Sequence, residues 1–494
     1  MIILKGTAMP VPFLLEKTMN KKIIISMDNV SKTNGGIFEG WGTSLCWWAH
    51  RLGFSQKLIK DSADLFFSKN GLSLNIMRYN IGGGDDPSHN HIRRTDSEIP
   101  GWLRKNENGK FVYDFTADEK QLCVLKAAYI AAGEDAFVEA FSNSPPYFMT
   151  VSGCSSGSKN AVSTNLKKSC VTDFADYLTD VTAYIVNVLG IRVKSLAAMN
   201  EPYTCYWKAM SEKQEGCHIS PGKRQSELLV AVAEHLKIKH LDDVTVTASD
   251  ETNTSLQLKA FKKLSKEALG VIGRISTHTY KKATPKIGTF AREMGYNLWM
   301  SETDWSSKRG EDAKEMGPAL FLSEKILEDM NTLSPSGWVI WQVVAGYISR
   351  YPDEKGRYDM PCLPDLNEGY WGCAFADIDK EEIYLTQKYY AFGQFSRYIR
   401  PGMTIIHTGK SSLCAFDKKN NSLSLVCVNS KKADSFVNID FSSFGIPFTR
   451  VKAIRTSGSM KDGEHWAELG TQKIDGNCFD FTLKGNSITT FIIE

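Results

Sequence analysis

Two short acidic motifs are the strongest candidates for chemistry in this chain of 494 residues. Asn200-Glu201-Pro202 ends one apolar run, and Glu302 follows another apolar run at residues 297–301. Proline cannot donate to a sheet ladder and favours extended geometry in its predecessor, so we expect a strand that stops at Glu201. Burying an ionisable group is unfavourable unless the group is paired or neutral. An acid at the end of a buried strand therefore indicates a functional role.

A pair of carboxylates that share one cleft has a specific use. One acid can protonate a leaving oxygen while the other attacks carbon or activates water, which is what glycoside hydrolysis requires. A lone glutamate is more often a loop carboxylate or part of a structural ion pair. The interpretation therefore depends on whether the fold brings Glu201 and Glu302 together.

Strand and helix patterns alternate from about residue 37 to residue 398. We predict eight strands, at residues 36–40, 74–79, 136–141, 193–199, 244–248, 273–279, 297–301 and 337–342. The clearest predicted helix, residues 172–189, carries apolar residues at helical spacing and is followed by Gly190. This alternation predicts an α/β fold of the (β/α)₈ TIM barrel type, with a doubly wound open sheet as the alternative.

The pattern changes after Pro401 to short runs separated by Gly, Asn, Asp, Ser and Lys turns. We expect an appended all-β sandwich domain there, and a strand at residues 22–27 that could pair into it. The predicted domains are an N-terminal segment at 1–30, a catalytic barrel at 31–400 and a C-terminal β-sandwich at 401–494.

In a barrel of this type, reactive residues sit at the C-terminal ends of the strands. The predicted fourth and seventh strands lie across the barrel mouth from each other, so Glu201 and Glu302 can face one cleft. Arg78, at the end of the second strand, could hold a catalytic carboxylate ionised and oriented. The hydroxyl of Tyr280, after the sixth strand, could hydrogen-bond the nucleophile. The full set of expected substrate-binding residues is Asn200, Arg78, Asn80, Trp41, Tyr280, His278, Trp341 and Asn143.

Tryptophans accompany the first and eighth predicted strands, at Trp41, Trp47, Trp48, Trp338 and Trp341. An aromatic face suits the apolar face of a sugar ring, and an amphipathic side chain suits a wet binding site. Each tryptophan alone is more often a core residue than a sugar platform. Trp341 is our preferred platform.

Composition excludes several other classes. A net charge of +3 gives no reason to expect a nucleic-acid partner, and no apolar run approaches the roughly 20 residues of a membrane helix. Gly82-Gly83-Gly84 lacks the following Lys of a phosphate-binding loop. His89-Asn90-His91 resembles a metal pair but has no third ligand in evident spacing, which favours a solvated loop. We therefore expect no metal and no cofactor.

The eleven cysteines are an odd number without a C-x-x-C pair, so at least one thiol is unpaired. Cys154 with Cys170, and Cys205 with Cys217, could each close a loop in a secreted protein. Scattered reduced thiols are the favoured alternative.

Five segments together resemble glycoside hydrolase family 30, a family of clan A. They are Phe38-Glu39-Gly40-Trp41-Gly42, Met77-Arg78-Tyr79-Asn80-Ile81-Gly82-Gly83-Gly84, Ser142-Asn143-Ser144-Pro145-Pro146-Tyr147-Phe148-Met149, Asn200-Glu201-Pro202 and Ser301-Glu302-Thr303-Asp304-Trp305. The resemblance runs from about residue 30 to residue 400, and the β-domain also suits the family. The Trp-Gly-Thr-Ser-Leu-Cys-Trp-Trp-Ala and Asn-Ile-Gly-Gly-Gly runs are most similar to the endo-β-1,6-galactanase branch.

The resemblance implies a retaining mechanism with Glu201 as acid/base, Glu302 as nucleophile and carboxyl groups roughly 5 Å apart. It also implies that Asn200 contacts the sugar 2-hydroxyl, and that the substrate is a galactan or galacto-oligosaccharide with β-1,6 linkages. Another β-glycosidase specificity (β-glucosidase, β-xylanase or β-fucosidase) or a non-catalytic carbohydrate-binding barrel are the alternatives.

Location and mode of action stay open. The N-terminus lacks a clear signal peptide, so we expect a cytoplasmic protein if that N-terminus is native and a secreted protein otherwise. Endo or exo action and the oligomeric state are not predicted.

Overall fold

The barrel is closed by eight parallel strands that follow one another in chain order, the eighth pairing with the first. The computed structural model describes residues 21–304, 315–366 and 369–494. Barrel strands one to eight are Gly40–Ser44, Ile76–Asn80, Phe137–Phe141, Val193–Ala197, Thr245–Glu251, Ile272–His278, Asn297–Thr303 and Gly337–Ile340. The predicted TIM barrel is confirmed, and the doubly wound sheet is excluded.

The first strand is the one that the sequence pattern misplaced. Residues 36–40 were expected, but the strand is Gly40–Ser44, because the chain turns through positive φ at Gly35 (61°) and Gly36 (85°). The true strand is rich in Gly, Thr and Ser, so it lacks the β-branched apolar run by which strands are recognised.

Helices surround the barrel and connect its strands. They are Trp48–Leu52, Gln56–Ser62, Glu119–Ala132, Val171–Ala183, Lys223–Ile238, Thr254–Phe261, Lys266–Val271, Pro285–Glu293, Met316–Leu333 and Gln387–Ser396. Two short helices, Thr254–Phe261 and Lys266–Val271, stand in place of one longer helix, because Ser265 accepts from the Ala268 N–H and caps the second. Among the described helices, none combines the length and apolar character that a membrane crossing needs.

Two further sheets form the appended β-sandwich. The six-stranded antiparallel sheet has the spatial order Thr404–His407, Ser412–Asp417, Ser422–Asn429, Ser487–Ile493, Arg450–Ser457 and Glu464–Lys473. The three-stranded sheet has Ser435–Asp440 in its centre, parallel to Lys21–Ile24 and antiparallel to Cys478–Leu483. A separate apolar core, with Ile23, Ile439 and Phe491 among its members, lies within this part of the chain.

One strand of the sandwich has no apolar run in the sequence. Glu464–Lys473 was missed, because it is an exposed edge strand with mostly polar residues. The sandwich packs on the barrel through Gln387–Ser396, whose Gln394 donates to Thr456 Oγ1 at 2.9 Å. The boundaries proposed for the three domains stay predictions.

The cysteines do not pair. All eleven are free thiols, including Cys154, Cys170, Cys205 and Cys217, so neither of the two possible loop-closing disulfides is present. The structure therefore agrees with the favoured expectation of scattered reduced thiols.

A carboxylate with only 10% of its side chain exposed, that of Glu39, lies at the N-terminal end of the barrel. Glu39 Oε2 accepts from Asn297 Nδ2 and Trp299 Nε1, both at 2.7 Å, and Oε1 contacts Lys194. Burial acts to raise the pKa of Glu39, but the positive charges of Arg274 and Lys194 outweigh it and lower the pKa to about 2. The ionised carboxylate therefore ties the start of strand one to strands four and seven.

Glu39→Gln should lower the free energy of unfolding by about 3 kcal/mol at neutral pH, because an ordinary pKa of 4.5 falls to about 2 on folding. A depressed carboxyl pKa stabilises the fold above pH 4.5, and this contribution disappears as the pH falls towards 2. Urea unfolding of parent and variant across that range measures the difference. Glu234→Gln, on an exposed helix face, is the control. A pH-independent difference would contradict the prediction.

Candidate active site

A cleft of about 1500 Å³ opens at the C-terminal end of the barrel. Of the expected site residues, it is lined by Asn200, Glu201, Tyr280, Glu302 and Trp341. A carboxylate oxygen of Glu201 and one of Glu302 lie within 4.8 Å of each other. Strands four and seven therefore bring the two acids to one point, as their positions in the sequence predicted.

Glu302 is held from two sides. Arg78 Nη1 donates to Glu302 Oε2 at 2.6 Å, and the Tyr280 hydroxyl donates to Oε1 at 2.9 Å. Arg78 is fully buried, and its other terminal nitrogen donates to Asn200 Oδ1 at 2.7 Å and contacts Asp250. One guanidinium thus orients three strand ends, and its charge favours the ionised form of Glu302.

Glu201 sits on a turn of unusual backbone geometry. Its φ is 48°, in the left-handed region, and its N–H donates to the Asp250 carbonyl at 2.8 Å. Its carbonyl accepts from Trp207 Nε1 at 3.0 Å, and its carboxylate accepts from the Tyr206 hydroxyl. A non-glycine residue in this region is costly and is often found at functional sites. These contacts hold the carboxyl group of Glu201, a residue that is 6% exposed, at the cleft.

His278 lies between the two acids and a third carboxylate. Its Nδ1 is 3.0 Å from Glu201 Oε1 and 3.5 Å from Glu302 Oε1, and its Nε2 is 3.1 Å from Asp250 Oδ1. Burial alone would lower the pKa of His278, but Glu302 and Asp250 outweigh it and raise the pKa to about 10. His278 is therefore an imidazolium at neutral pH, buried beneath the acids instead of facing a substrate.

The positive charges of His278 and Arg78 affect the pKa values of the neighbouring acids. Burial raises the pKa of Glu302, and the positive charges of His278 and Arg78 oppose that rise. Burial would likewise raise the pKa of Asp250, but Arg78 and His278 outweigh it and lower the pKa. Asp250 is thus a fixed anion that keeps both cations in place.

His278→Gln should shift the pH dependence of activity. Removing the imidazolium takes away a charge that lowers the pKa of Glu302, so this pKa should rise. A nucleophile must be ionised, so the acidic limb of kcat/KM should move to higher pH. A pH series of kcat/KM measures the shift, with His235→Gln, which pairs with Asp176 elsewhere, as the control. An unmoved acidic limb would show that His278 does not tune Glu302.

The ligand atoms of Glu201, His278 and Glu302 are close enough to hold a metal ion. A histidine ligand must be neutral, whereas the raised pKa of His278 keeps this ring protonated. Arg78 also places a positive charge 2.6 Å from Glu302 Oε2. The three groups therefore suit proton sharing better than binding of a divalent cation.

Trp41 does not reach the cleft, so its expected sugar contact is wrong. Its side chain is fully buried, it packs against Phe38 and Trp338, and its Nε1 donates to the Ile399 carbonyl at 2.8 Å. The first strand begins at Gly40, which turns Trp41 towards the helices outside the barrel.

Asn80 and Asn143 are also buried and are not among the residues that line the cleft, so a direct substrate contact stays a prediction for them. Asn80 Nδ2 donates to Glu215 Oε1 at 2.6 Å, and Asn143 Nδ2 lies 3.5 Å from Cys46 Sγ. Burial raises the pKa of Glu215 to about 7, and hydrogen bonds from both asparagines oppose that rise. These asparagines support the floor of the site.

The structure adds residues that the motifs did not reveal. Asp250 is the last residue but one of strand five, and Tyr206 lies in the loop after strand four. Trp371 lines the cleft, with its ring centroid 6.1 Å from that of Tyr280. The sequence does point to Asp250, because Ser249-Asp250-Glu251 places a pair of acids at a strand end. Tyr206 and Trp371 lie in long loops. The strand-end rule, by which reactive residues are expected at the C-terminal ends of barrel strands, makes no prediction for such loops.

Comparison with known proteins agrees with this geometry. Residues 20–256, which include Glu201, match the family model described as O-Glycosyl hydrolase family 30. An endo-β-1,6-galactanase of Hypocrea rufa is 26% identical over 488 residues, covering 94% of this chain and 93% of that protein. An exo-β-1,6-galactobiohydrolase of Bifidobacterium longum subsp. longum is 25% identical, covering 69% of this chain and 28% of that protein.

Solved structures show the same fold. A conserved exported protein from Bacteroides fragilis has a TM-score of 0.74 at 18% identity, over 96% of this chain and all of that chain. The catalytic domain of a GH30 xylanase C from Talaromyces cellulolyticus has a TM-score of 0.70 at 16% identity, with the same coverage. The family match over residues 20–256 and the two curated relatives support one conclusion: the chain is similar to glycoside hydrolase family 30, a family of O-glycosyl hydrolases.

Proposed function

We propose that this enzyme hydrolyses β-1,6-galactosidic linkages in galactan or arabinogalactan side chains with retention of anomeric configuration. The observation that carries the mechanism is the separation of the acids, whose nearest described oxygens lie within 4.8 Å. Retaining glycosidases place their carboxyl groups about 5 Å apart, whereas inverting enzymes leave room for a water between groups at least about 6.5 Å apart. The short separation favours double displacement.

Glu302 is the nucleophile in this proposal. Its contacts with Arg78 and Tyr280 hold one carboxylate geometry and favour ionisation. It attacks the anomeric carbon and forms a glycosyl ester, so the negative charge beside Arg78 is consumed in the first step. Arg78 and Tyr280 orient this carboxylate instead of binding sugar.

Glu201 is the acid/base. It protonates the departing oxygen in the first step and then deprotonates the water that hydrolyses the ester. The Tyr206 hydroxyl and the His278 ring contact its two carboxylate oxygens, and these contacts orient the carboxyl group at the cleft. Asn200 lines the cleft next to Glu201, which suits the proposed contact with a sugar 2-hydroxyl.

The galactan specificity is supported by the curated relatives, both of which are named for β-1,6-linked galactose substrates. Two tryptophans suit the sugar rings. Trp341 lines the cleft and stands edge-on to Trp47, with ring centroids 5.1 Å apart, while Trp371 is 36% exposed on the same cleft. Rigid aromatic faces of this kind bind sugars with little loss of side-chain entropy.

A panel of β-1,6-, β-1,3- and β-1,4-linked galacto-oligosaccharides, with xylan, β-glucans and aryl fucosides, tests the substrate class. We expect cleavage of the β-1,6 series alone, and the length of the first products distinguishes endo from exo action. Proton NMR of the earliest product should show the β-anomer, because a retaining enzyme releases the configuration it cleaves.

Three outcomes would contradict the proposal. Cleavage confined to xylan, glucans or aryl fucosides would assign another β-glycosidase specificity. An initial α-anomer would exclude retention. Binding without release of reducing ends would favour a non-catalytic carbohydrate-binding barrel.

A further inference from the structure

Four potential metal ligands meet in the loops beside the cleft. Asp85, His89 and His91 belong to the loop after strand two, and Cys154 belongs to the loop after strand three. One ligand atom from each lies within 4.8 Å of the others. Asp85, four residues before His89, is a third ligand in the same loop, and the fold brings Cys154 to the cluster as the fourth.

Distances within the cluster resemble those of a tetrahedral site. His91 Nε2 lies 3.3 Å from Cys154 Sγ and 2.8 Å from Asp85 Oδ2, and His89 Nδ1 lies 3.3 Å from Asp85 Oδ1. Zinc bonds of about 2.0 Å to nitrogen and about 2.3 Å to sulfur place such ligands about 3.5 Å apart. A small rearrangement of these side chains would therefore admit the ion.

The hydrogen bonds of His91 assign its protons. Its Nδ1 lies 2.7 Å from the Ser211 carbonyl, which can only accept, so Nδ1 carries a proton. In the neutral ring, Nε2 then presents a lone pair to the Asp85 carboxylate and Cys154 sulfur. Three electron-pair donors facing one another require a cation between them or extra protons. A backbone carbonyl on the far nitrogen is also the usual partner of a zinc-bound histidine.

Cys154 is surrounded as a metal thiolate would be. It is 1% exposed, and its sulfur lies 3.4 Å from the Met210 N–H, which donates to it, and 3.2 Å from the Ser156 hydroxyl. Asp85 Oδ1 accepts from the Ser155 N–H at 2.9 Å. Both anionic ligands are therefore oriented by neighbours that do not belong to the cluster.

We propose that Asp85, His89, His91 and Cys154 bind one structural Zn²⁺ ion. Two neutral imidazoles, a carboxylate and a thiolate carry a charge of −2, which the ion neutralises. Four protein ligands leave no open position, which is typical of a structural site.

The ion would join three loops at the wall of the cleft. The ligands fasten the loops after strands two and three, and Ser211 and Met210 connect the loop after strand four. Met210 and Ser211 line the substrate cleft, while Asp85 lines a neighbouring groove of about 1020 Å³. The site is thus separate from the reacting acids and shapes the cleft from outside.

Titration of metal-depleted protein with Co²⁺, followed by Zn²⁺, tests the site without any activity measurement. We expect one equivalent of Co²⁺ to bind with the near-ultraviolet charge-transfer absorption of a cobalt thiolate, and Zn²⁺ to displace it. Cys154→Ser should lose this absorption, and Cys217→Ser, another buried thiol, should retain it. This difference separates the proposed site from binding at Glu201 and Glu302.

A second variant pair covers the case in which Cys154→Ser fails to fold. His89 is the most exposed ligand, with 24% of its side chain accessible, so His89→Asn should fold and bind Co²⁺ at least about tenfold more weakly. His240→Asn, at an exposed position with positive φ that asparagine tolerates, should bind normally. The proposal is overturned if the parent protein shows no thiolate absorption, if Cys154→Ser keeps it, or if His89→Asn binds as tightly as the parent.

Discussion

Glu302→Gln is expected to lower kcat by about 10⁴-fold or more on every substrate, because the amide cannot form the glycosyl ester. The amide still fits between Arg78 and Tyr280, so the variant should fold and bind substrate. Steady-state and burst kinetics with an aryl galactoside measure the loss. Glu234→Gln on an exposed helix face is the matched control.

Chemical rescue identifies the role of Glu302 more sharply than the loss of rate. Glu302→Ala opens space on the face where the carboxylate attacks, so azide should restore turnover and give the α-glycosyl azide. The product has the inverted anomeric configuration because a single displacement by azide replaces the two displacements of the normal reaction. Hydrolysis by Glu302→Gln within about tenfold of the parent rate would exclude Glu302 as the nucleophile.

Glu201→Ala should give the second large effect, and this effect should depend on the leaving group, unlike that of Glu302→Gln. General acid catalysis contributes about 10² to 10⁴-fold, and this contribution matters most when the leaving oxygen is a poor one. Oligosaccharide cleavage should therefore fall by about 10³-fold, whereas dinitrophenyl glycosides, which need no protonation, should still form the ester rapidly. Stopped-flow detection of the released phenol measures the first step alone.

Azide distinguishes Glu201 from Glu302. In Glu201→Ala the ester to Glu302 still forms, so azide attacks it from the opposite face and should give the β-glycosyl azide. A β product from Glu201→Ala and an α product from Glu302→Ala together assign the two roles. The same anomer from both variants, or an equal rate loss on all leaving groups, would contradict the assignment.

Much of the fold was predictable from local patterns. Seven barrel strands lay where apolar runs indicated, since buried parallel strands read as continuous hydrophobic segments. The predicted position of strand one was wrong because its Gly-Trp-Gly-Thr-Ser sequence has no such run. Its position is decided by pairing with strands two and eight. The strand Glu464–Lys473 was not predicted because an exposed edge strand needs no apolar face.

The site was predictable where the strand-end rule applies and unpredictable elsewhere. The rule located Glu201, Glu302, Arg78 and Tyr280, because a barrel gathers the C-terminal ends of its strands at one opening. It could not separate a strand-end residue that faces the cleft, such as Asn200, from one buried beneath it, such as Asn80. That difference depends on which side chain meets Glu215 across the floor, a contact 135 residues apart in the chain.

By itself, the sequence determined the fold class, the acid pair and the family resemblance, because each depends on short segments with local signals. Only the tertiary structure decided which charges surround the acids and which loops meet. Arg78, Asp250 and His278 come from three strands, and Asp85 and Cys154 come from two loops. Electrostatic coupling falls with distance in space and does not follow separation along the chain, so these groups acquire their properties only when the barrel closes.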